Sequence, residues 1–345
     1  MAIYKTEHGF QIKHRSSDPS NPIAGEIWYN STTQTLKVAP KISAWSSGGN
    51  MNDVSAAACL AMAGTQNAQV IAGGQSPSPG ITVEEYDGSS WTTATNMPEK
   101  FQQGAGGGTQ TAGLFFGGAI PAADSGGSAP TSQTESFEYD GTNWADGGDL
   151  NTDRSNAGGC GTQTAGLAAA GYQISPSNDP GAATNNVEEY NGSSWTESGD
   201  MNTTRWDTNS MCGTQTAAVF FCGRPTSAGG GVTNVEEYNG TSWTAGEAFP
   251  EGRARANAAG TQTLAIVFSG QGTAGSQPTN KTTTFSYDGT DFAADAALGS
   301  GKYGAGGGGG TKGNALSAGG YSPGSAVNTT EEYSSAATVK TVDVT

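Results

Sequence analysis

The sequence predicts an all-β fold: a six-bladed β-propeller closed by an N-terminal strand and preceded by a short N-terminal segment. Three observations predict it. "GTQ" or its variant "GTK" begins at Gly64, Gly108, Gly161, Gly213, Gly260 and Gly310. A tyrosine closing "EEY", "FEY" or "FSY" falls at Tyr86, Tyr139, Tyr190, Tyr238, Tyr287 and Tyr333. A tryptophan follows a turn at Trp91, Trp144, Trp195 and Trp243, with Phe292 in the fifth unit. Self-similarity at a period of about fifty residues is the signature of stacked repeats. The sixth unit has no aromatic residue after Tyr333, whereas Trp45 stands alone ahead of the first. A ring closed by pairing the chain's two ends accounts for both, whereas an open ring would leave exposed edge strands.

Each unit reads the same way. In Met201 to Thr244, "MNTTRWDTNSMCG" gives a lead-in and a first strand, and Thr214-Gln215 a tight turn. "TAAVFFCG" is an apolar second strand, "RPTSAGGGVT" a variable loop, and "NVEEYNG" and "TSWTAG" the last two strands. The Asn-Gly and Asp-Gly pairs (Asp87-Gly88, Asp140-Gly141, Asn191-Gly192, Asn239-Gly240, Asp288-Gly289) suit positive φ in a hairpin connection. First strands rich in Gly, Ala and Cys fit a crowded axis and argue against a deep polar funnel. Short turns should share one face, and the divergent two–three and four–one loops the other. Recognition concentrates on variable loops held by a rigid scaffold. Tyr172, Trp206, Arg224 and Tyr321 are therefore the candidate contacts.

From about Trp45 onward the chain resembles kelch repeats. The resemblance rests on Gly73-Gly74, Gly117-Gly118 and Gly319-Gly320 after the second strand, and on the Tyr and Trp markers. Met97-Pro98, Phe249-Pro250 and the arginines Arg154, Arg205 and Arg253 add to it. Gly171, Gly223 and Gly270 keep only half of the glycine pair. The likeness implies a propeller at 45–345 and no particular function, since kelch propellers serve as enzymes, adaptors and adhesins. "DPSNPIAGEIWYNSTTQTLKV" (Asp18 to Val38) resembles a short hairpin module of bacteriophage tail-fibre and other virion proteins. The near-identical repeats are similar to propellers encoded by marine phages. These likenesses imply an attachment segment at 1–44, joined to other virion proteins. They also imply a virion component, of the tail or its fibres, that oligomerises in the particle and meets a host-surface glycan or receptor. The alternatives are a purely architectural decoration or adaptor protein of the virion, a cellular kelch adaptor, or a glycan-active depolymerase.

Composition narrows the chemistry. Thirty-one acidic residues against 15 basic ones give a net charge of −16, with no basic run that could neutralise phosphates or hold an anionic membrane. The N-terminus has no apolar signal core, and no stretch is long enough to span a membrane. His8 and His14 both precede the repeats, which leaves the blades without a histidine base or copper ligand. The glycine-rich strings lack a P-loop lysine. Adjacent strand residues face opposite ways, so the pairs Glu84-Glu85, Glu188-Glu189, Glu236-Glu237 and Glu331-Glu332 cannot act as single ligand sets. One glutamate of each pair should be exposed and the other hydrogen-bonded, with the arginines reaching a neighbouring blade's carboxylates. Cys59, Cys160, Cys212 and Cys222 show no metal or disulfide spacing and read as buried thiols. The expectation is a non-enzymatic protein with no cofactor, metal or nucleic-acid partner.

Overall fold

The computed structural model describes residues 12–23, 25–53, 61–74, 80–100, 102–120, 130–174, 181–207, 210–225, 230–272, 279–322, 325–337 and 339–342. Among them there is no helix. The chain divides into two compact units, Met1–Ala44 with Ser334–Thr345, and Trp45–Tyr333. The expected division placed everything after residue 44 with the repeats. Instead, the last strand, Lys340–Thr341, pairs with Thr35–Val38 of the N-terminal unit.

The larger unit is built from repeated four-stranded antiparallel sheets, the arrangement of a β-propeller. Six such sheets are described, the first made of Ala61–Thr65, Ala68–Ala72, Val83–Tyr86 and Trp91–Thr93. The sixth takes Gly306–Thr311, Asn314–Ala318 and Thr330–Ala337 from the end of the chain and Lys41–Ser47 from its start. Innermost strands pack one against the next around the series, and Gly306–Thr311 packs against Ala61–Thr65. Second strands such as Ala217–Phe221 and Leu264–Phe268 are buried on both faces. Their Val, Phe and Ile side chains fill the spaces between sheets, in the cluster of Val219, Phe221, Val267 and Tyr287 for example.

The first hairpin in each sheet depends on its glycine. Gly213 has φ of 119°, and a Cβ there would lie 2.2 Å from the carbonyl oxygen of Ala217. Only glycine fits such a position. The turn itself falls one residue later than the sequence suggests: Thr65 ends a strand, and Gln66-Asn67 make the turn. In the other hairpin the connection is four residues long, and Tyr86 pairs with Trp91 across it. Gly88 takes the positive φ of 90°, while Asp87 accepts hydrogen bonds from the backbone N–H groups of Ser89 and Ser90.

Those turn and strand letters also bind sheet to sheet, always toward the preceding one. Gln110 Nε2 donates to the carbonyls of Gln69 and Tyr86, and Gln215 Nε2 to those of Gly166 and Tyr190. Gln66 Nε2 makes the same pair of bonds to Ala315 and Tyr333, from the first sheet to the last. The strand-three tyrosines follow suit. Tyr139, Tyr190, Tyr238 and Tyr287 donate to Glu85, Glu138, Glu189 and Glu237 at 3.0, 2.8, 2.6 and 2.8 Å, and Tyr86 to Glu332 at 2.5 Å. Trp91 Nε1 reaches Thr330, Trp195 Nε1 reaches Ser136, and Trp45 Nε1 reaches Thr284. The second glutamate of each pair is thus a half-buried hydrogen-bond acceptor between sheets, which corrects the expectation that one glutamate of each pair stands exposed.

The first glutamate is buried within its own sheet. Glu188 and Glu236 take the backbone N–H and side-chain amide of Asn151 and Asn202, and Glu84 takes those of Asn52. Arg205 meets Glu236 at 2.7 Å with both side chains at most 2 % exposed, and Arg154 meets Glu188 likewise. Each arginine therefore pairs inside the unit that it leads into, and the neighbouring-blade pairing is overturned. The lead-in is thus bonded to strand three of the same sheet. In the fifth sheet Phe285 replaces the glutamate, and Arg253 turns to Glu251 in its own lead-in while its guanidinium lies 5.0 Å above the Phe249 ring.

Candidate recognition face and axial cavity

Sequence reasoning places recognition at the loop end of the sheets. Most of the variable loop tips, 75–79, 121–129, 175–180, 226–229, 273–278 and 323–324, lie outside the described residues. Their bases are described, and the four candidate side chains sit there. Tyr172 is 9 % exposed, held in the short strand Tyr172–Gln173, with its ring 4.6 Å from that of Trp206. It therefore packs its ring against Trp206 and is not an exposed tip. Trp206 and Arg224 are half-buried and bridge each other through the backbone. Tyr321 stacks on Tyr303 at 5.4 Å with the rings 12° apart.

Two residues missing from the sequence reading join these pieces. Asp207, fully buried, accepts a hydrogen bond from Arg255 Nε at 2.6 Å and forms an ion pair with Arg224 Nε at 3.1 Å. The Arg255 guanidinium then lies 5.2 Å from the centre of the Tyr303 ring. Arg224 also donates to Gln271 at 3.1 Å. The result is one run of groups: Tyr172, Trp206, Asp207, Arg255, Tyr303 and Tyr321, with Arg224 beside Asp207. Two partly exposed guanidiniums share one buried carboxylate, so the local charge is positive within a strongly acidic unit.

Backbone geometry sets the spacing of that run. Gln103, Asn156, Asp207, Arg255 and Gly304 all have positive φ, between 52° and 68°. The N–H of Asn156 donates to Gln103, that of Asp207 to Asn156, that of Arg255 to Asp207, and that of Gly304 to Arg255. Each residue stands seven or eight positions before the Gln or Lys of its repeat's turn. Counting back from "GTQ" could have found them, but their side chains differ and so the repeat hides them. Asn156 Oδ1 and Trp206 Nε1 are buried without a hydrogen-bond partner here.

Where the inner strands converge there is a cavity of about 180 Å³. Glycine and alanine make most of its wall, joined by Met62, Met211, Cys160, Cys212 and Gln69. Gln69 is fully buried and its Oε1 has no partner. Cys160 packs with Met211 and Phe220, and Cys212 with Val219 and Phe221, so the two thiols serve different inter-sheet clusters. Burial raises the Cys160 thiol and pushes Cys212 and Cys222 up to about 12, which keeps them protonated and unreactive. Cys59 and His8 lie outside the described residues. Among the described residues, no three His, Cys, Asp or Glu side chains come together to hold a metal.

No family model matches the sequence, and no curated protein matches it. Solved structures do. One, described as "Structure of YjhT", superposes with a TM-score of 0.65 at 12 % identity, covering 82 % of this chain and 97 % of that one. At that identity the likeness shows a shared fold alone.

Proposed function

We propose that the chain is a six-bladed kelch-like propeller, closed by the strand that carries Trp45. In this reading it is a non-enzymatic bacteriophage virion component of the tail or its fibres, and its loop end attaches to a host-surface glycan or receptor. The observation that carries the recognition half is the run Tyr172–Trp206–Asp207–Arg255–Tyr303–Tyr321 with Arg224. Aromatic faces beside guanidiniums, a buried carboxylate and an unpartnered indole N–H suit a hydroxyl-rich ligand, which presents both apolar ring faces and polar edges. The carboxylates of the repeat point away from catalysis, because tyrosine, asparagine and arginine partners already occupy them. The virion half rests on the resemblance of Asp18–Val38 to tail-fibre modules. Many copies on one particle would turn modest single-site affinity into firm attachment.

The test is adsorption of the purified chain to host cells and to a glycan array, beside a Trp206→Ala, Arg255→Ala double variant. Binding by the parent and loss in the variant supports the reading. A blank result together with incorporation into particles favours the architectural alternative, and release of reducing ends from host polysaccharide would show a depolymerase.

A further inference from the structure

We infer that the first sheet of the larger unit binds a divalent cation of the calcium type at Glu84 and Asp53, in the place where other sheets carry a cationic side chain. The comparison is internal to the chain. Two residues before the strand-three tyrosine stands a glutamate in four sheets, at Glu84, Glu188, Glu236 and Glu331, and a phenylalanine in two, at Phe137 and Phe285. Three of the four glutamates face a cation from their own lead-in: Arg154 for Glu188, Arg205 at 2.7 Å for Glu236, and Lys302 at 3.6 Å for Glu331. Each cation also donates to two backbone carbonyls: Ala170 and Asn186, Cys222 and Asn234, or Ser317 and Thr329.

The first sheet shares this frame. Asn52 gives Glu84 its backbone N–H at 2.8 Å and its side-chain amide at 3.0 Å, as Asn151 and Asn202 do for Glu188 and Glu236. The Gly73 N–H donates to Thr82 at 3.0 Å, as Ala170 does to Asn186 and Cys222 to Asn234. The Gly73 and Thr82 carbonyls therefore match the acceptors that Arg154 and Arg205 use. What differs is the basic residue. Arginine stands three positions after Asn151 and Asn202, but Ser55 stands three after Asn52, and no Lys or Arg occurs from Met51 to Gln66. Glu84 is still only 2 % exposed, and its one further partner among the described residues is the Asp53 N–H. Asp53 takes the position of Thr152 and Thr203 and brings a second carboxylate, whose Oδ2 lies 3.5 Å from Thr82 Oγ1.

A buried carboxylate without a counter-charge is costly. Two carboxylates, two carbonyls and a hydroxyl form an all-oxygen set suited to a hard cation of charge two. Calcium accepts such an irregular set, completed by water, more readily than magnesium does. Adjacent glutamates face apart and cannot share a metal; here the second carboxylate comes from the lead-in instead. Met51, next to Asn52, exchanges hydrogen bonds with Asn328 ahead of the last sheet's third strand. A cation on Asp53 and Glu84 would thus also steady the join between the first and last sheets.

Calorimetric titration of the full-length chain, stripped with a chelator and then given calcium chloride, tests this without any glycan. One calcium per chain should bind at about 10⁻⁴–10⁻³ M, and the unfolding midpoint should climb with calcium concentration. Asp53→Asn should weaken binding at least about tenfold, because affinity follows the charge of the ligand set. Asp53→Thr combined with Ser55→Arg copies the fourth sheet's lead-in; it should fold without calcium and show no calcium response. A stripped parent that neither binds calcium nor shifts its midpoint would overturn the inference. So would an Asp53→Asn variant that binds as tightly as the parent, or a parent that responds to sodium as strongly as to calcium at equal ionic strength.

Discussion

The seams between sheets and the loop end of the same sheets are made from different kinds of letters. At a seam the letters repeat: Gln to two carbonyls, Tyr to Glu, Trp to Ser or Thr, each directed to the preceding sheet. At the loop end the backbone repeats and the side chains do not: Gln103, Asn156, Asp207, Arg255 and Gly304 share one conformation and one hydrogen-bond ladder. The difference teaches where selection for shape ends. A side chain that must satisfy its neighbour's buried polar groups has few substitutes, since a buried group left unpaired costs about 1–3 kcal/mol. A backbone ladder tolerates many side chains, so those positions are free to carry recognition.

Substitutions can break that contrast, and the largest effect is expected beneath the loops. Arg205→Met strands the buried Glu236 carboxylate and should cost about 3–5 kcal/mol in denaturant unfolding. Gly213→Ala comes next, because its Cβ would meet the Ala217 carbonyl at 2.2 Å; a shifted hairpin should lower the midpoint as strongly as a lost core side chain. Gln66→Leu removes the donor for Ala315 and Tyr333, at about 1–3 kcal/mol. Its cost should match that of Gln215→Leu if the seam between the last and first sheets is built like the others. A much smaller cost at Gln66 would mark that seam as the weak one.

Alkaline pH probes the tyrosine seams together. Burial first, then the Glu332 carboxylate, raises Tyr86 from its usual 10 to about 12, and Tyr238 is raised to about 12 beside Glu189. With folded values above unfolded ones, this stability is complete below pH 10 and is lost as pH climbs from 10 through 12. Unfolding midpoints measured across that window should fall, and Tyr86→Phe should make the fall shallower.

Much of the scaffold was legible because its chemistry repeats in phase with the chain. Gln66, Tyr86 and Trp91 each announce one bond that recurs in other units. The partner of each arginine was misplaced, because a one-dimensional repeat does not tell which strand three lies above a lead-in. Glu251 illustrates the difficulty: it takes over from a strand-three glutamate only where Phe285 has displaced one. Asp207 and Arg255 went unread for the opposite reason. Their shared property is a positive φ, which leaves no common letter, and their juxtaposition depends on sheets forty-eight residues apart in sequence meeting at one end. Tyr172 was found but misjudged, since an aromatic after a strand-ending glycine looks exposed until Trp206 is seen to cover it.

The largest effect on recognition is expected from a variant that spares the seams. Trp206→Ala combined with Arg255→Ala removes a half-buried ring and a half-buried guanidinium, leaves the Gln, Tyr and Trp seam bonds in place, and leaves Asp207 to its ion pair with Arg224. Adsorption of this variant to host cells, measured beside its unfolding midpoint, tests the separation of scaffold from recognition most directly. The account predicts binding reduced at least about tenfold, as for loss of an aromatic and arginine hot spot, with a midpoint lowered less than by Arg205→Met because Arg224 still faces Asp207. Undiminished binding by a folded variant would contradict it.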